Sequence, residues 1–389
     1  ILALGIRKVS SLPAWTAAAA AATVVLGPLV GFWLVTVRPD LWALALDLAG
    51  MLVLLTRWRH RPWSALAGFA LAAWLAWSFK QAAVTSLCGV GLFLLIERQW
   101  RGLAMLVSAM ALAFAVSLAA GTPLYRATVM FSGVPLHYSA TGMVVMAGTA
   151  IAKALPVWMA LAVALALSFR RGERSAIWAD DITRLLACTA GVGLVLALAA
   201  MTQDAAAENY MFIPTAHAAL LAARLWVRLK ARRLVAWAAM GGMAVLAGLG
   251  ILMLAGRLGV LDQRPVHAAF MRMKACVQDL PRPLFVHNPY LSLPWMSPSD
   301  RPYVLSFVYD RERALGKPFA GDGIGGLVGA GHFAAIAIPG DEVPKVLDGA
   351  ALDGYVPVTG ACHNLVVLLR RDVVRRRDGA DRRQMPANH

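Results

Sequence analysis

Apolar residues fill long runs separated by short polar breaks: about 14 to 37, 41 to 56, 63 to 79, 82 to 96, 102 to 120, 154 to 169, 184 to 201, 211 to 227 and 234 to 256. A spanning helix needs roughly 20 mostly apolar residues, and fewer where its ends can snorkel. The pattern therefore predicts about nine membrane spans. The stretch from Gly121 to Lys153 breaks the rhythm. It is too polar to span and too apolar for a free loop, with Val129, Met130, Phe131, Met143, Val144 and Val145 among its residues. It reads as one or two amphipathic helices lying along the membrane surface.

After Arg257 the period changes. Strand-like runs at 283 to 288, 303 to 308, 332 to 338 and 364 to 370 alternate with helix-like segments at 263 to 279 and 341 to 348. Such alternation predicts a small α/β domain. The closing "RRDVVRRRDGADRRQMPANH" is charged and aperiodic, the pattern of a disordered tail. The expected organisation is a membrane domain over 1–256, an α/β domain over 257–372 and a tail over 373–389. The fold class is an all-α polytopic membrane bundle with a small C-terminal α/β domain outside the cytoplasm.

Composition supports a membrane chain. Hydrophobic residues make up 59% of it against 15% charged, outside the usual balance of a water-soluble domain. A net charge of +16 would suit a nucleic-acid partner if it formed one patch. Instead the cations fall in short clusters between apolar runs, so no nucleic acid is expected. Fourteen of them occupy alternate gaps, in the groups Arg7 and Lys8; Arg57, Arg59 and Arg61; Arg98 and Arg101; Arg170, Arg171 and Arg174; and Arg228, Lys230, Arg232 and Arg233. The intervening gaps hold four: Arg38, Lys80, Arg126 and Lys153. The positive-inside rule then puts the start in the cytoplasm and everything after Gly256 outside. Ile1 is no initiator methionine, and "ILALGIRKVSSLPAW" has neither the charged start nor the cleavage site of a signal peptide. The sequence is expected to enter a longer protein partway through.

Cysteines divide evenly between the two parts. Cys88 and Cys188 lie in apolar runs and are expected in the core. Cys276 and Cys362 flank the α/β domain in a compartment where disulfides persist, and are expected to pair. "GDGIGG" carries Gly321, Gly323 and Gly326 in the spacing of a dinucleotide fingerprint, but no buried strand precedes it and no acidic residue follows at the required distance. A turn before a short helix accounts for it. Zinc-ligand spacing and a G-x-S-x-G nucleophile motif are absent from the sequence. No metal site and no cofactor are predicted, and the sequence leaves a divalent metal open.

Ionisable residues near an apolar slab are functional candidates because their insertion is costly. Arg38 and Asp40, then Lys80 and Gln81, then Asp204, Glu208, Asn209 and Tyr210 all fall in gaps assigned to the outer surface. Taken singly, each is an ordinary loop residue. Together they supply cations suited to a lipid phosphate and carboxylates suited to an acceptor hydroxyl or amine. Asp47 follows Asp40 by seven residues, and His217 follows Tyr210 by seven, so each shares a helix face with its predecessor two turns deeper.

"VRPDLWALALDLAGMLVLLTRW", "ALAGFALAAWLAWSFKQAAV" and "AENYMFIPTAHAALLAA", in that order, resemble the membrane part of bacterial glycosyltransferases of the C-type superfamily, relatives of protein O-mannosyltransferases and the lipid A aminoarabinose transferase. "GHFAAIAIPGD" and "DGYVPV" resemble their outer-surface domain. The resemblance implies transfer of a sugar from a polyprenyl-phosphate carrier to an envelope acceptor on the outer face of the cytoplasmic membrane. On that reading Lys80, Gln81 and Arg38 contact the donor phosphate, and Asn209 and Tyr210 line the cavity. Such enzymes carry their main catalytic carboxylate in a first outer loop that this sequence lacks. The catalytic residue is therefore unassigned, with Asp40, Asp204 and Glu208 as candidates. The competing expectation is a non-enzymatic transporter or a scaffold for envelope assembly.

Overall fold

The structure is a computed structural model, and it describes residues 1–31, 33, 39–80, 83–121, 138–170, 178–203, 207–229, parts of 241–255, 264–286, 322–339, 352–362 and 365–376. The expected strand at 303–308, the helix at 341–348 and most of the stretch 121–137 lie outside the described residues. Two compact units divide the chain, Ile1–Gly259 and Val260–His389.

The first unit is helical: α1 (Leu2–Ser10), α2 (Ala14–Leu26), α3 (Pro39–Arg57), α4 (Pro62–Phe79), α5 (Val84–Ile96), α6 (Trp100–Ala120), α7 (Ala140–Lys153), α8 (Leu155–Arg170), α9 (Asp181–Met201) and α10 (Phe212–Arg228), with a 3₁₀ turn over Glu208–Met211 leading into α10. Local chemistry sets their ends. Pro39 and Pro62 open α3 and α4, where a missing N–H costs nothing. Ser139 caps α7 by accepting from Gly142 N at 2.9 Å, and Asp180 caps α9 through Thr183 N at 3.0 Å.

Among the described residues, four segments are long and apolar enough to cross a membrane: Pro39–Arg57, Trp100–Ala120, Asp181–Met201 and Glu208–Arg228. A fifth arises if Ala140–Lys153 and Leu155–Phe169, bent by 87° at their junction, count as one span. α6 decides the setting. It is the most apolar of the four, with mean hydropathy 2.3, yet only 11% of it is buried. Leu112 and Val107 on its surface are 66% and 60% exposed. An uncovered apolar face of that kind fits lipid as its solvent, since soluble monomers rarely expose large contiguous apolar patches.

Several runs differ from their expected extent. Among the described residues the run 14–37 yields α2, capped at Gly27, and the run 82–96 yields a 13-residue α5. Part of the presumed surface stretch is α7, which meets α8 at the bend. Cys88, expected in the core, is exposed, because it faces away from the contact that α5 makes with α9. That contact is set by Gly89: a Cβ there would sit 2.5 Å from Thr189 Cα. α3 and α4 form a hairpin in which Gly50 lies against Phe69 and Ala72.

One end of the bundle is held by charge. Asp180, only 2% exposed at its side chain, accepts from Arg224 Nε and Nη2, both at 2.9 Å, and from Arg228 Nη2 at 2.7 Å. Arg59 reaches Asp181 Oδ1 at 2.7 Å, and Arg184 pairs with Glu97. Arg224 Nη1 also donates to Val9 O at 2.9 Å. The ends of α1, α3, α5, α9 and α10 are thereby joined. Burial alone would raise the Asp180 carboxyl, but its bonds from Arg224 and Thr183 hold it well below the usual carboxylate range.

The second unit contains α11 (Arg264–Gln278), β1 (Leu284–Val286), α12 (Gly323–Gly329), β2 (Ala335–Pro339), β3 (Tyr355–Cys362) and β4 (Leu365–Arg370). Sheet order is β1-β2-β4-β3, with β1 parallel to β2 and the other pairings antiparallel. Alternation splits its side chains. Phe285, Ile336, Ile338 and Leu368 pack with Ile324 and Val328 of α12, while Leu284, Val286, Ala335, Ala337, Val367 and Leu369 pack with Val277 of α11. Cys276 on α11 is joined to Cys362 on β3 by a disulfide, Cα–Cα 5.6 Å. Residues 371–376, at the junction with the presumed tail, are helical because Val374 packs against that second cluster and Arg370 pairs with Asp372 at 2.6 Å. Within "GDGIGG", Asp322 and Gly323, at φ 58° and 77°, open α12, and Gly321 lies outside the described residues.

Replacing Asp180 with Asn should cost about 3–5 kcal/mol, because it strands a mostly buried Arg224. Since the Asp180 carboxyl is lowered in the folded chain, its contribution is complete above its unfolded value near 3.9 and is lost as pH falls through the lower folded value. Thermal melts in detergent should show a wild-type advantage that is constant from pH 7 to about 5 and fades only in stronger acid. Replacing Cys276 and Cys362 with Ser should lower the stability of the second unit by about 4 kcal/mol, as read by denaturant melts against reduced and oxidised protein.

Candidate functional site

Opposite the Asp180 clamp, three separate elements deliver polar groups to one place. Asp40 stands in the first turn of α3 and is 6% exposed. Lys80 is the C-cap of α4, and its extended backbone turns the side chain toward α3. Asn209 and Tyr210 come from the 3₁₀ turn that precedes α10.

Lys80 Nζ donates to Asp40 Oδ1. The same oxygen accepts from Asn209 Nδ2 at 2.9 Å, and Lys80 Nζ lies 4.9 Å from the centre of the Tyr210 ring. The ammonium is thus held between a carboxylate and a ring face. Its side chain is still 20% exposed. Next to this group, Lys153 Nζ contacts both carboxylate oxygens of Glu208, at 2.6 and 2.5 Å. Lys153 ends α7 at the bend, so that ion pair ties the bend to the 3₁₀ turn. At the other end of α7, Ser139 N donates to Thr202 O at 2.7 Å and ties its start to the end of α9.

Of the residues expected here, the structure brings Asp40, Lys80, Glu208, Asn209 and Tyr210 together. Arg38, Gln81 and Asp204 lie outside the described residues. Lys153 was missed as a member, although a lone lysine in a gap otherwise short of cations was the signal that could have marked it.

A second polar group sits deeper. His217 Nε2 lies 2.9 Å from Asp47 Oδ2 and 3.4 Å from Ser86 Oγ, and the His217 and Asp47 side chains are wholly buried. One ring nitrogen serves both partners. That is not the arrangement of a nucleophilic triad, in which the serine and the carboxylate take opposite ring nitrogens. Among the described residues, Asp47 Oδ1 and His217 Nδ1 find no hydrogen-bond partner. Seven residues separate Asp40 from Asp47 and Tyr210 from His217, which places this pair about 10 Å along the helices from the Lys80 group. Among the described residues, no three His, Cys, Asp or Glu side chains gather as metal ligands.

Two lysines, two carboxylates, an amide and a phenol thus meet at the end of an apolar bundle, with each lysine paired to one acid. No protein-family model, no curated protein and no solved structure matches this chain.

The Asp47–His217 contact should be energetically coupled. A double-mutant cycle with Asp47→Asn and His217→Gln, followed by thermal unfolding in detergent, should give an interaction energy of about 1–3 kcal/mol. Additive single effects would mean that the two side chains stand beside each other without bonding.

Proposed function

We propose that this protein is a membrane glycosyltransferase that moves a sugar from a polyprenyl-phosphate donor to an envelope acceptor at the outer face of a bacterial cytoplasmic membrane. The observation that supports this most is the convergence of Lys80, Asp40, Asn209 and Tyr210 from three elements at the end of the bundle opposite the arginine-rich clamp. The resemblance of the segments around these residues to the C-type superfamily supplies the reaction class. In the proposed topology of about nine spans, the clamp end faces the cytoplasm, and the Lys80 end and the C-terminal unit face outward.

Displacing a phosphate from an anomeric carbon needs a cation to hold the departing oxygens and a carboxylate to take the acceptor's proton. Lys80 fills the first role, with Asp40 and Tyr210 fixing its position while the site is empty. Asn209 holds Asp40 in turn. Asp40 and Glu208 are both engaged by lysines, so the accepting carboxylate stays unassigned between them and Asp204. A transport reading draws on a different observation, the 87° break between α7 and α8 together with the buried Asp47–His217 pair. Broken helices and buried ionisable pairs are common in transporters.

Binding separates these readings from each other. Lys80→Ala should weaken binding of a polyprenyl phosphate to the purified protein by roughly ten- to a hundredfold, the loss of one charge-assisted bond. In proteoliposomes loaded with radiolabelled lipid-phosphate sugar, transfer should vanish in the variant while insertion is retained. Unchanged phosphate binding would remove Lys80 from the site, and solute flux without sugar transfer would establish transport instead.

A further inference from the structure

At the clamp end, a groove of about 780 Å³ opens between α1, the turn into α2 and the last turns of α3. Its walls are apolar, formed by Leu4, Leu12 and Leu52, and its cations are Arg7 and Lys8. Ser11 and Thr56 add hydroxyls. Both cations are exposed, and no described acid pairs with either one. This sets them apart from Arg59, Arg184, Arg224 and Arg228, each of which is committed to a carboxylate at the same end.

The groove is built by ordered backbone. Ser11 takes the left-handed conformation at φ 52° and closes α1 by donating N–H to Arg7 O at 2.9 Å, while buried Ser10 donates its hydroxyl to Ile6 O at 2.5 Å and accepts from Leu12 N at 3.3 Å. Arg224 holds the same turn from below through Val9 O. Cations at the end of a helix also complement its dipole. That effect explains their charge without explaining an apolar furrow alongside them, or Trp15, 59% exposed just beyond the turn. Aromatic side chains of this kind sit at headgroup level.

We infer that this groove binds an anionic phospholipid of the leaflet at the clamp end, its phosphate on Arg7 and Lys8 and its first acyl carbons along Leu4, Leu12 and Leu52. The volume suits a headgroup with the upper part of its chains. Charge complementarity selects the acidic lipid over a zwitterionic one. The assignment stands on the groove alone and is independent of any sugar transfer.

Native mass spectrometry of the full chain released from nanodiscs of phosphatidylcholine and phosphatidylglycerol tests it. The protein should retain phosphatidylglycerol preferentially. The double variant Arg7→Gln, Lys8→Gln should lose that preference by about thirtyfold, roughly fivefold per cation. Arg57→Gln with Arg61→Gln, exposed cations at the same end but outside the groove, should keep it, and both double variants should melt as the wild type does. Equal retention in the Arg7/Lys8 variant would overturn the site, as would an equal loss in the Arg57/Arg61 control. Displacement by millimolar inorganic phosphate would also overturn it, since a bare anion site has no use for the apolar wall.

Discussion

Asp180 gathers Arg224 and Arg228, and its neighbour Asp181 takes Arg59, so three helices are locked together where their polar ends meet. Helices pulled together by apolar contact alone slide easily in lipid, because lipid tails compete for the same surfaces. A fixed point at one end supplies what that contact cannot. α3 and α10 run from the clamp to Asp40 and to the 3₁₀ turn, and each is a stiff rod of 17 to 19 residues. Setting their rotation at one end sets which residues face each other at the other. Asp40 meets Asn209 because Arg59 and Arg224 converge on the same acidic pair.

Polar groups in the first unit follow a division of labour. Near the clamp they are numerous, paired and structural. Near Lys80 they are fewer and partly buried, and each cation is paired with one acid. Between the two lies the Asp47–His217 pair, wholly buried, with Asp47 Oδ1 and His217 Nδ1 unbonded among the described residues. Groups of that kind cost stability unless something satisfies them.

Much of the helical layout was legible from apolar runs and from Pro39 and Pro62 at helix starts. Spacing also carried further than length did: the seven-residue relations from Asp40 to Asp47 and from Tyr210 to His217 forecast two stacked levels. Two breaks did carry local marks, Gly27 at the end of α2 and Pro156 in the first turn of α8, just past the 87° bend. Other features had no local trace. Asp180 and Arg224 are 44 residues apart, and nothing near either names the other. In the second unit, strand β3 has polar and glycine positions that hide it, and its pairing with β4 is a tertiary fact. Cys88 looked like core because composition cannot tell a helix face buried in protein from one buried in lipid.

The bend between α7 and α8 fixes a length as well as a direction. At 1.5 Å per residue the 16 residues of α8 rise about 24 Å and the 13 of α5 about 20 Å, both short of the roughly 30 Å of hydrocarbon in an ordinary bilayer. Neither helix alone is long enough to cross such a layer, and each leans on a longer neighbour, α5 on α9 and α8 on α10.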